Sequence, residues 1–286
     1  MVSDVLVYQV GYTTNAVEEW IAAARLRDQI KGILQATGAT EYEIWLSDSK
    51  ENWRKALFAN YKANRTQPKP THYEFLLNTL VNDWDAQVAL GEEADDAMGI
   101  QQTACNAQGW NLSTICTIDK DLQQIPGRHY NWDKATISIV SPSEGLYRFY
   151  YQLLVGDSGD NITVTQGLSC KGIGAKKAQQ MLEGCETEEE MFTTCWNAYE
   201  KAWGEGFQER LLLTGQLIKI RQTNGEIWTF PFLPQQEGEV KPSLPTSSIP
   251  ASSPSTVLTK PEKTGYLVAG QQQADTMTSD RLPSIS

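Results

Sequence analysis

The chain has 286 residues, of which 40% are hydrophobic, and it carries a formal net charge of −11 at pH 7. This length allows one large domain or two small ones with a substantial core. So acidic a chain is not a simple basic nucleic-acid binder, although carboxylates that bind metal ions would account for several of the charges.

Cysteine and histidine usage excludes two further classes. The five cysteines form no C-x-x-C pair, and the two histidines stand apart from each other. Neither a zinc site nor a disulfide framework is therefore expected. No signal peptide and no apolar segment of membrane-spanning length is apparent. We expect a soluble protein in a reducing intracellular compartment, with no membrane partner.

The composition changes close to residue 233. All nine tryptophans lie at or before Trp228, whereas eight of the twelve prolines lie at or after Pro231. We expect a folded domain over residues 1–232 and a disordered Pro/Ser/Thr-rich tail over 233–286. Such a tail is a flexible appendage that a replication protein could bind.

The start of the chain predicts an α/β fold. Residues 5–10 form a β-rich apolar run that is typical of a buried central strand, and residues 15–37 show helical spacing of apolar residues. Residues 43–46 are a second strand candidate. Strand, helix and strand in this order predict a mostly parallel central sheet flanked by helices.

A basic and aromatic block interrupts this pattern at residues 50–70. In an acidic chain, such a block fits phosphate contact combined with base stacking. A solvated amphipathic helix and loop is the alternative interpretation. The block contains Lys50, Arg54, Lys55, Lys62, Arg65 and Lys69, interleaved with Trp53, Phe58 and Tyr61.

The remaining elements continue the alternation of strands and helices. Apolar spacing predicts helices at 71–86, 94–108, 144–155, 187–202 and 205–221, and strands at 112–118 and 136–140.

Three acidic clusters each lie beside an apolar run. Each has an ordinary explanation as a helix start or a turn. Like charges crowded together nevertheless destabilise a fold unless a cation neutralises them, which favours one divalent-metal centre. In the second cluster, the two aspartates are two residues apart where a strand ends, so both can face one site. The clusters are Glu93/Asp95/Asp96, Asp119/Asp121 and Asp157/Asp160.

A glycine turn follows the third acidic cluster. Gly172 and Gly174 precede a predicted helix, and Lys176 and Lys177 lie in the first turn of that helix. Glycines let a backbone approach a phosphate, which helix N-terminal amides and lysines then bind. A plain helix-start turn is the alternative.

Taken together, these stretches resemble the 5′-nuclease superfamily, which includes flap endonucleases and the 5′-exonuclease domains of bacterial DNA polymerases. The similarity is greatest to podovirus-type bacteriophage 5′→3′ exonucleases. It rests on four ordered motifs, SDSKENWRKALFANYKANRTQPKP, GEEADDAMG, ICTIDKDLQQIPG and LVGDSGDNI, with GIGAKKA after the last. The resemblance covers residues 3–232. It implies a PIN-like fold with a helical arch near 50–75 and a helix-hairpin-helix-type DNA-binding element near 156–183.

The resemblance also implies roles for individual residues. Lys62 and Arg65 match a catalytic basic pair that reaches the scissile phosphate. Two divalent metal ions, Mg²⁺ or Mn²⁺, would be bound by Asp4, Glu93, Asp95, Asp96, Asp119, Asp121, Asp157 and Asp160. DNA would be bound by Arg54, Tyr61, Lys69, Gly172, Gly174, Lys176 and Lys177, with a K⁺ ion at the glycine turn.

The implied activity is a metal-dependent 5′→3′ exonuclease acting on duplex DNA by a two-metal mechanism. The resemblance also implies 5′-flap endonuclease and RNase H-type activity, so the expected partners are DNA with free 5′ ends or 5′ flaps and RNA–DNA hybrids. The expected setting is phage DNA replication or host DNA degradation, by a monomer in the cytoplasm of an infected bacterium.

One departure from the family pattern concerns the first strand. The family's first strand normally ends in an aspartate that binds metal, but Val2 stands at that position and only Asp4 remains. Either the chain start is truncated or assigned too late, or Asp4 substitutes, or the metal site is weakened. The alternatives are therefore a catalytically weakened DNA-structure-binding member of the fold, or a PIN-like ribonuclease. Domains of the latter kind usually lack the basic arch and the glycine turn.

Overall fold

The computed structural model describes residues 1–232, and the predicted tail at 233–286 lies outside the described residues. No helix within 1–232 is both long and apolar enough to cross a membrane. The strands in this range are β1 (Val2–Ser3), β2 (Ile44–Ser47), β3 (Gln87–Ala89), β4 (Thr114–Cys116), β5 (Gly127–Asn131) and β6 (Thr136–Val140). The helices are α1 (Val5–Thr13), α2 (Glu19–Thr37), α3 (Trp53–Leu57), α4 (Tyr73–Trp84), α5 (Ala94–Gln108), α6 (Pro142–Val155), α7 (Ala175–Leu182), α8 (Glu188–Trp203) and α9 (Phe207–Ile218).

The strands form one six-stranded sheet in the order β3-β2-β1-β4-β5-β6. All neighbouring pairs are parallel except β5 and β6, which form an antiparallel hairpin. The predicted mostly parallel α/β sheet is therefore confirmed. In open sheets of this kind, ligands bind beyond the carboxyl ends of the strands. Asp4 follows β1 directly at this edge, and Asp119 follows β4 after a short gap.

The strand predicted at residues 5–10 is wrong, because these residues form helix α1. Leu6, Val7 and Val10 are buried on one side of this helix, while Tyr8 is exposed. The central strand is instead the two-residue β1, which pairs with Ile44 and Trp45 on one side and with Cys116 on the other. A short apolar run cannot be assigned to a strand or a helix from periodicity alone, and the tertiary environment decides here.

Most other predicted elements are confirmed within a few residues, including the helices at 15–37, 71–86, 94–108 and 144–155. Two strands, β3 and β5, were not predicted. β3 has only three residues, two of them exposed, and β5 has the polar sequence GRHYN. The helical arch implied near 50–75 stays a prediction, because in the structure this segment contains α3 and a series of turns before α4.

Two large apolar clusters stabilise the domain. One packs α1, α2 and α4 against the sheet, with Leu26, Leu76 and Leu80 fully buried. The other lies among α6, α8 and α9, around Tyr150 and Phe192. Helix α6 begins with a capping box formed by Ser141 and Glu144, and its last turn leads directly into the acidic loop at 156–161. The second cluster therefore positions that loop.

Two helical glycines should respond oppositely to alanine. At Gly215 in α9, an added methyl group would overlap the ring of Trp228, so Gly215→Ala should lower the melting temperature. At Gly32 in α2, an added methyl group meets nothing within 4 Å. Gly32→Ala should therefore stabilise the domain by about 0.5–1 kcal/mol through helix propensity. Thermal unfolding of both variants checks the packing, and a stabilised Gly215→Ala variant would contradict it.

Candidate functional site

A cavity of about 240 Å³ lies at the carboxyl edge of the sheet. Six acidic side chains from all three predicted clusters line it, together with Arg54, Lys62 and Arg65. The structure therefore brings together residues that are far apart in the sequence, as predicted from their charge. The acidic residues of the cavity are Glu93, Asp95, Asp119, Asp121, Asp157 and Asp160.

The start of helix α5 contributes the first two carboxylates. Glu93 is the N-cap residue, and Asp95 lies in the first turn, where a negative charge complements the helix dipole. Burial opposes ionisation of Glu93, but Lys62 and Arg54 outweigh it and hold the pKa of Glu93 below its ordinary value. Burial, followed by the charges of Asp119 and Glu93, raises the pKa of Asp95 well above its ordinary value. A cation beside Asp95 would therefore favour its ionised form.

The loop after β4 contributes Asp119 and Asp121. Neither lies on the strand, which ends at Cys116, so the predicted same-side strand geometry is wrong. A turn brings them to the cavity instead, because the Asp121 N–H donates to Asp119 Oδ1 at 2.8 Å. Asp121 then begins a 3-10 helix (Asp121–Gln124). Its Oδ1 accepts hydrogen bonds from Arg148 Nη2 at 2.8 Å and from Gln152 Nε2 at 2.7 Å.

The loop at 156–161 contributes Asp157 and Asp160. Asp157 Oδ1 accepts from the N–H groups of Gly159 at 2.7 Å and of Asp160 at 3.2 Å, which closes the loop on itself. Burial, followed by a hydrogen bond to Asp121, raises the pKa of Asp157. Asp160 Oδ2 accepts from the Tyr61 hydroxyl at 2.9 Å, and its Oδ1 accepts from Arg65 Nη2 at 2.6 Å.

The basic segment around Lys62 is docked on this acidic loop. The Lys62 N–H donates to Asp160 O at 3.0 Å, and Asn64 Nδ2 donates to Ser158 O at 2.7 Å. Lys62 has φ +57°, a left-handed conformation that is uncommon for a residue with a side chain. Its ammonium group contacts Glu93 and lies 3.6 Å from Asp160 Oδ2. The Lys62 cation is therefore placed among the carboxylates.

Asp96 is turned away from the cavity, in contrast to its predicted role as a metal ligand. It is fully buried and accepts four hydrogen bonds, two of them from Arg54. Arg54 was predicted to bind DNA, but it is only 2% exposed and also donates to the carbonyls of Leu217 and Lys219. Arg54 and Asp96 thus form a buried structural pair behind the site.

Tyr61 and Asp4 also differ from their predicted roles. Tyr61 was predicted to stack on DNA bases, but it is 2% exposed, and its hydroxyl lies within hydrogen-bond distance of both Glu93 Oε2 (2.8 Å) and Asp160 Oδ2 (2.9 Å), which share its single proton. Asp4 was predicted as a metal ligand. It does not line the cavity, and its Oδ2 accepts from the Ser47 N–H at 3.2 Å. Burial raises the pKa of Asp4 despite these bonds from Ser47.

The other predicted DNA contacts lie on the surface. Lys69 is exposed, 3.3 Å from Glu74 and over the ring of Tyr73. Gly172 has φ +75°, and Gly174 is the N-cap residue of α7. Lys176 and Lys177 are exposed, as are the two glycines. None of these four residues lines the carboxylate cavity.

No family model matches the chain. The exonuclease of Escherichia phage T7 is 26% identical over 200 residues, which is 60% of this chain and 66% of that protein. The flap endonuclease Xni of Shewanella denitrificans is 27% identical over 176 residues, covering 50% of this chain and 69% of that protein. The chain thus spans about two thirds of the length of these relatives.

Solved structures share the fold. The zinc-bound 5′-exonuclease of phage T5 superposes with a TM-score of 0.53 at 15% identity, covering 77% of this chain and 97% of that one. A T5 flap endonuclease in a complex with DNA and metal ions gives 0.51 at 14% identity, covering 76% and 98%. Sequence and fold therefore agree. The chain is similar to 5′-nucleases in sequence and in fold.

The donor set of this carboxylate cavity fits hard divalent cations, because all six acidic residues offer carboxylate oxygens. Burial, followed by neighbouring carboxylates, raises the pKa values of Asp95 and Asp157, so a bound cation would favour their ionised forms. Within residues 1–232, however, no three acidic, cysteine or histidine side chains converge closely enough to hold an ion as they stand. Lys62 and Arg65 instead occupy oxygens of Glu93 and Asp160.

Sequence reasoning missed one polar residue of the carboxylate cavity. Gln152, on α6, lines the cavity although it is only 4% exposed. A buried amide one helical turn before the acidic loop, in an otherwise apolar stretch, was the available signal. The apolar wall formed by Leu217, Ile218 and Ile220 lies outside the quoted motifs and had no such signal.

Asp95→Asn should stabilise the metal-free protein at neutral pH. Because the folded-state pKa of Asp95 is raised, ionisation of this carboxyl opposes folding, and the penalty grows as pH rises above the unfolded pKa of about 3.9. We expect a gain of about 1 kcal/mol or more, which is about 2–4 °C in melting temperature at this size. The gain should disappear as pH falls towards 4.

Thermal unfolding in EDTA between pH 4 and 8 measures this effect, with the exposed Asp133→Asn as the matched control. A loss of stability at pH 7 in Asp95→Asn would contradict the charge crowding in the cavity.

Proposed function

We propose that this protein is a metal-dependent nuclease, a 5′→3′ exonuclease on duplex DNA that also cuts 5′ flaps and removes RNA from RNA–DNA hybrids. The observation that carries the proposal is the cavity in which six carboxylates meet Lys62 and Arg65. The similarity to an exonuclease and to a flap endonuclease supports DNA as the substrate. We further propose that the protein acts as a monomer, in phage DNA replication or in degradation of host DNA.

Two divalent cations, Mg²⁺ or Mn²⁺, are the proposed cofactors. Bound cations of this kind supply a hydroxide nucleophile at neutral pH and a counter-charge for the leaving oxygen. One T5 structure contains zinc and another contains metal ions together with DNA, which supports a divalent metal here. The residues that would hold the ions are Glu93, Asp95, Asp119, Asp121, Asp157 and Asp160.

Lys62 and Arg65 are the proposed phosphate-binding pair. The Arg65 side chain is 59% exposed at the rim of the cavity, where a DNA phosphate can reach it. Burial opposes the charge of Lys62, but Glu93 and Asp160 raise its pKa, so it stays cationic at neutral pH. Cations bound in the cavity would compete with Lys62 for Glu93, and the ammonium group would then be available to the scissile phosphate. There it would neutralise the charge that develops in the transition state.

The exposed residues Lys69, Lys176 and Lys177, with the turn at Gly172 and Gly174, are the proposed contacts to the DNA backbone. Exposed cations and helix N-terminal amides bind phosphate without reading sequence. A K⁺ ion at the glycine turn is part of this proposal. We therefore expect binding at this turn to weaken steeply with salt.

A catalytically weakened DNA-binding protein is the second candidate. Val2 lies inside β1 and Asp4 lies outside the cavity, so the first strand supplies no carboxylate to the cavity wall. This candidate predicts binding to 5′-flap DNA without cleavage.

Cleavage of 5′-labelled duplex and 5′-flap DNA separates the two candidates. We expect short 5′ products with Mg²⁺ and none with EDTA. Asp119→Asn and Lys62→Ala should each lower kcat by about 100-fold or more, because each removes a charge from the reacting centre. Lys134→Ala, at the exposed turn between β5 and β6, is the matched control and should cleave normally. DNA binding without cleavage at saturating Mg²⁺ would refute the proposed nuclease activity and favour the DNA-binding candidate.

A further inference from the structure

Two buried glutamines lie behind Asp121. Gln152 on α6 is 4% exposed, and Gln124 at the end of the 3-10 helix is 2% exposed. A side-chain amide taken out of water costs free energy unless its donors and acceptors are all used. The bonds of these two amides are therefore informative about what they do.

The two amides form a continuous chain of hydrogen bonds. Gln152 Nε2 donates to Asp121 Oδ1 at 2.7 Å, and Gln124 Nε2 donates to Gln152 Oε1 at 2.8 Å. Beyond Gln124 lies the backbone that follows α9. Gln124 Nε2 donates to Ile218 O at 3.0 Å, and the Ile220 N–H donates to Gln124 Oε1 at 3.2 Å.

Two backbone groups determine which way both side-chain amides are oriented. The Ile220 N–H can only donate, and the Ile218 carbonyl can only accept, so Gln124 must present its oxygen to the first and its nitrogen to the second. The remaining proton on Gln124 Nε2 then faces Gln152, which must turn its oxygen to meet it. Gln152 can therefore only present its NH₂ group to Asp121. Asp121 is thus always met by a donor.

A close approach of α6 keeps the two amides in register. A methyl group added at Gly145, near the start of α6, would lie 2.6 Å from the backbone oxygen of Gln124. Only glycine lets the helix lie this close to the 3-10 helix. Gln152, two turns further along α6, is consequently within reach of both Gln124 and Asp121.

We propose that Gln124 and Gln152 are positioning residues for Asp121, and we call the pair the amide relay. The relay donates a hydrogen bond to one oxygen of Asp121, so that the other oxygen is directed into the cavity. The carboxylate is therefore already oriented before a metal ion binds. Arg148 donates to the same oxygen, but its side chain is partly exposed and its Nε has no partner within residues 1–232. The inference rests on the proposed function, because it assigns Asp121 to metal binding.

The substitution Gln152→Met tests the relay, because methionine has nearly the same length and no amide donor. We expect Mn²⁺ affinity, measured by electron paramagnetic resonance of free Mn²⁺, to fall by about 10-fold or more, as for other residues that orient metal ligands. We expect kcat to fall while KM for 5′-labelled DNA stays close to wild type. Gln152→Glu, which sets a carboxylate against Asp121, should weaken Mn²⁺ binding further.

Gln216→Glu is the matched control, since Gln216 is a half-buried glutamine on α9 that donates to the Trp228 carbonyl. It should keep Mn²⁺ affinity and kcat. If Gln152→Met does not fold, Gln124→Met carries the same test with the same expected loss. Folded relay variants that bind Mn²⁺ within twofold of wild type would overturn the inference. A wild-type protein that binds Mn²⁺ but leaves DNA intact would refute only the proposed nuclease activity. The Mn²⁺ affinities of the variants would still test whether the amide relay positions Asp121.

Discussion

Six carboxylates share one small cavity at the carboxyl edge of the sheet, and their mutual repulsion is the constraint that the surrounding structure must satisfy. Lys62 and Arg65, which lie in one segment, both pair with Asp160, and Arg148 on α6 pairs with Asp121. That segment is held by backbone and side-chain bonds to the loop at 156–161. The motif that neutralises the cavity and the motif that supplies part of its charge are therefore one structural unit.

Behind this unit, the ion pair of Arg54 and Asp96 fixes the start of α5, which carries Glu93 and Asp95. A buried ion pair is tolerable only when its remaining donors and acceptors are used, and here Asp96 accepts four hydrogen bonds. Arg54 also donates to Leu217 O and Lys219 O at the end of α9. The same stretch of backbone orients Gln124. Residues 217–220 thus link α5 and the Asp121 loop, although they contain no acidic or basic motif that contacts the cavity carboxylates.

Motif spacing predicted the cavity better than it predicted local structure. The first acidic cluster begins a helix, the second follows a sheet strand and the third follows a helix, and all three positions are readable from sequence. The strand at 5–10 failed because apolar composition does not distinguish a buried helix from a buried strand. The sequence also did not predict which acidic and basic side chains pair with each other. Arg54 and Asp96 both match functional motifs, and only tertiary contacts reveal that they satisfy each other. Gln152 was missed because an amide has no charge and its role depends on neighbours distant in sequence.

Anomalous scattering from crystals grown with Mn²⁺ tests the central claim most directly. The account predicts Mn²⁺ peaks within the cavity, bound to carboxylates that include Asp95 and Asp119, with the Lys62 ammonium group released from Glu93. It also predicts that Asp96 remains paired with Arg54 and binds no ion. A cavity without Mn²⁺ at saturating concentration, or Lys62 still seated on Glu93 beside bound ions, would contradict it.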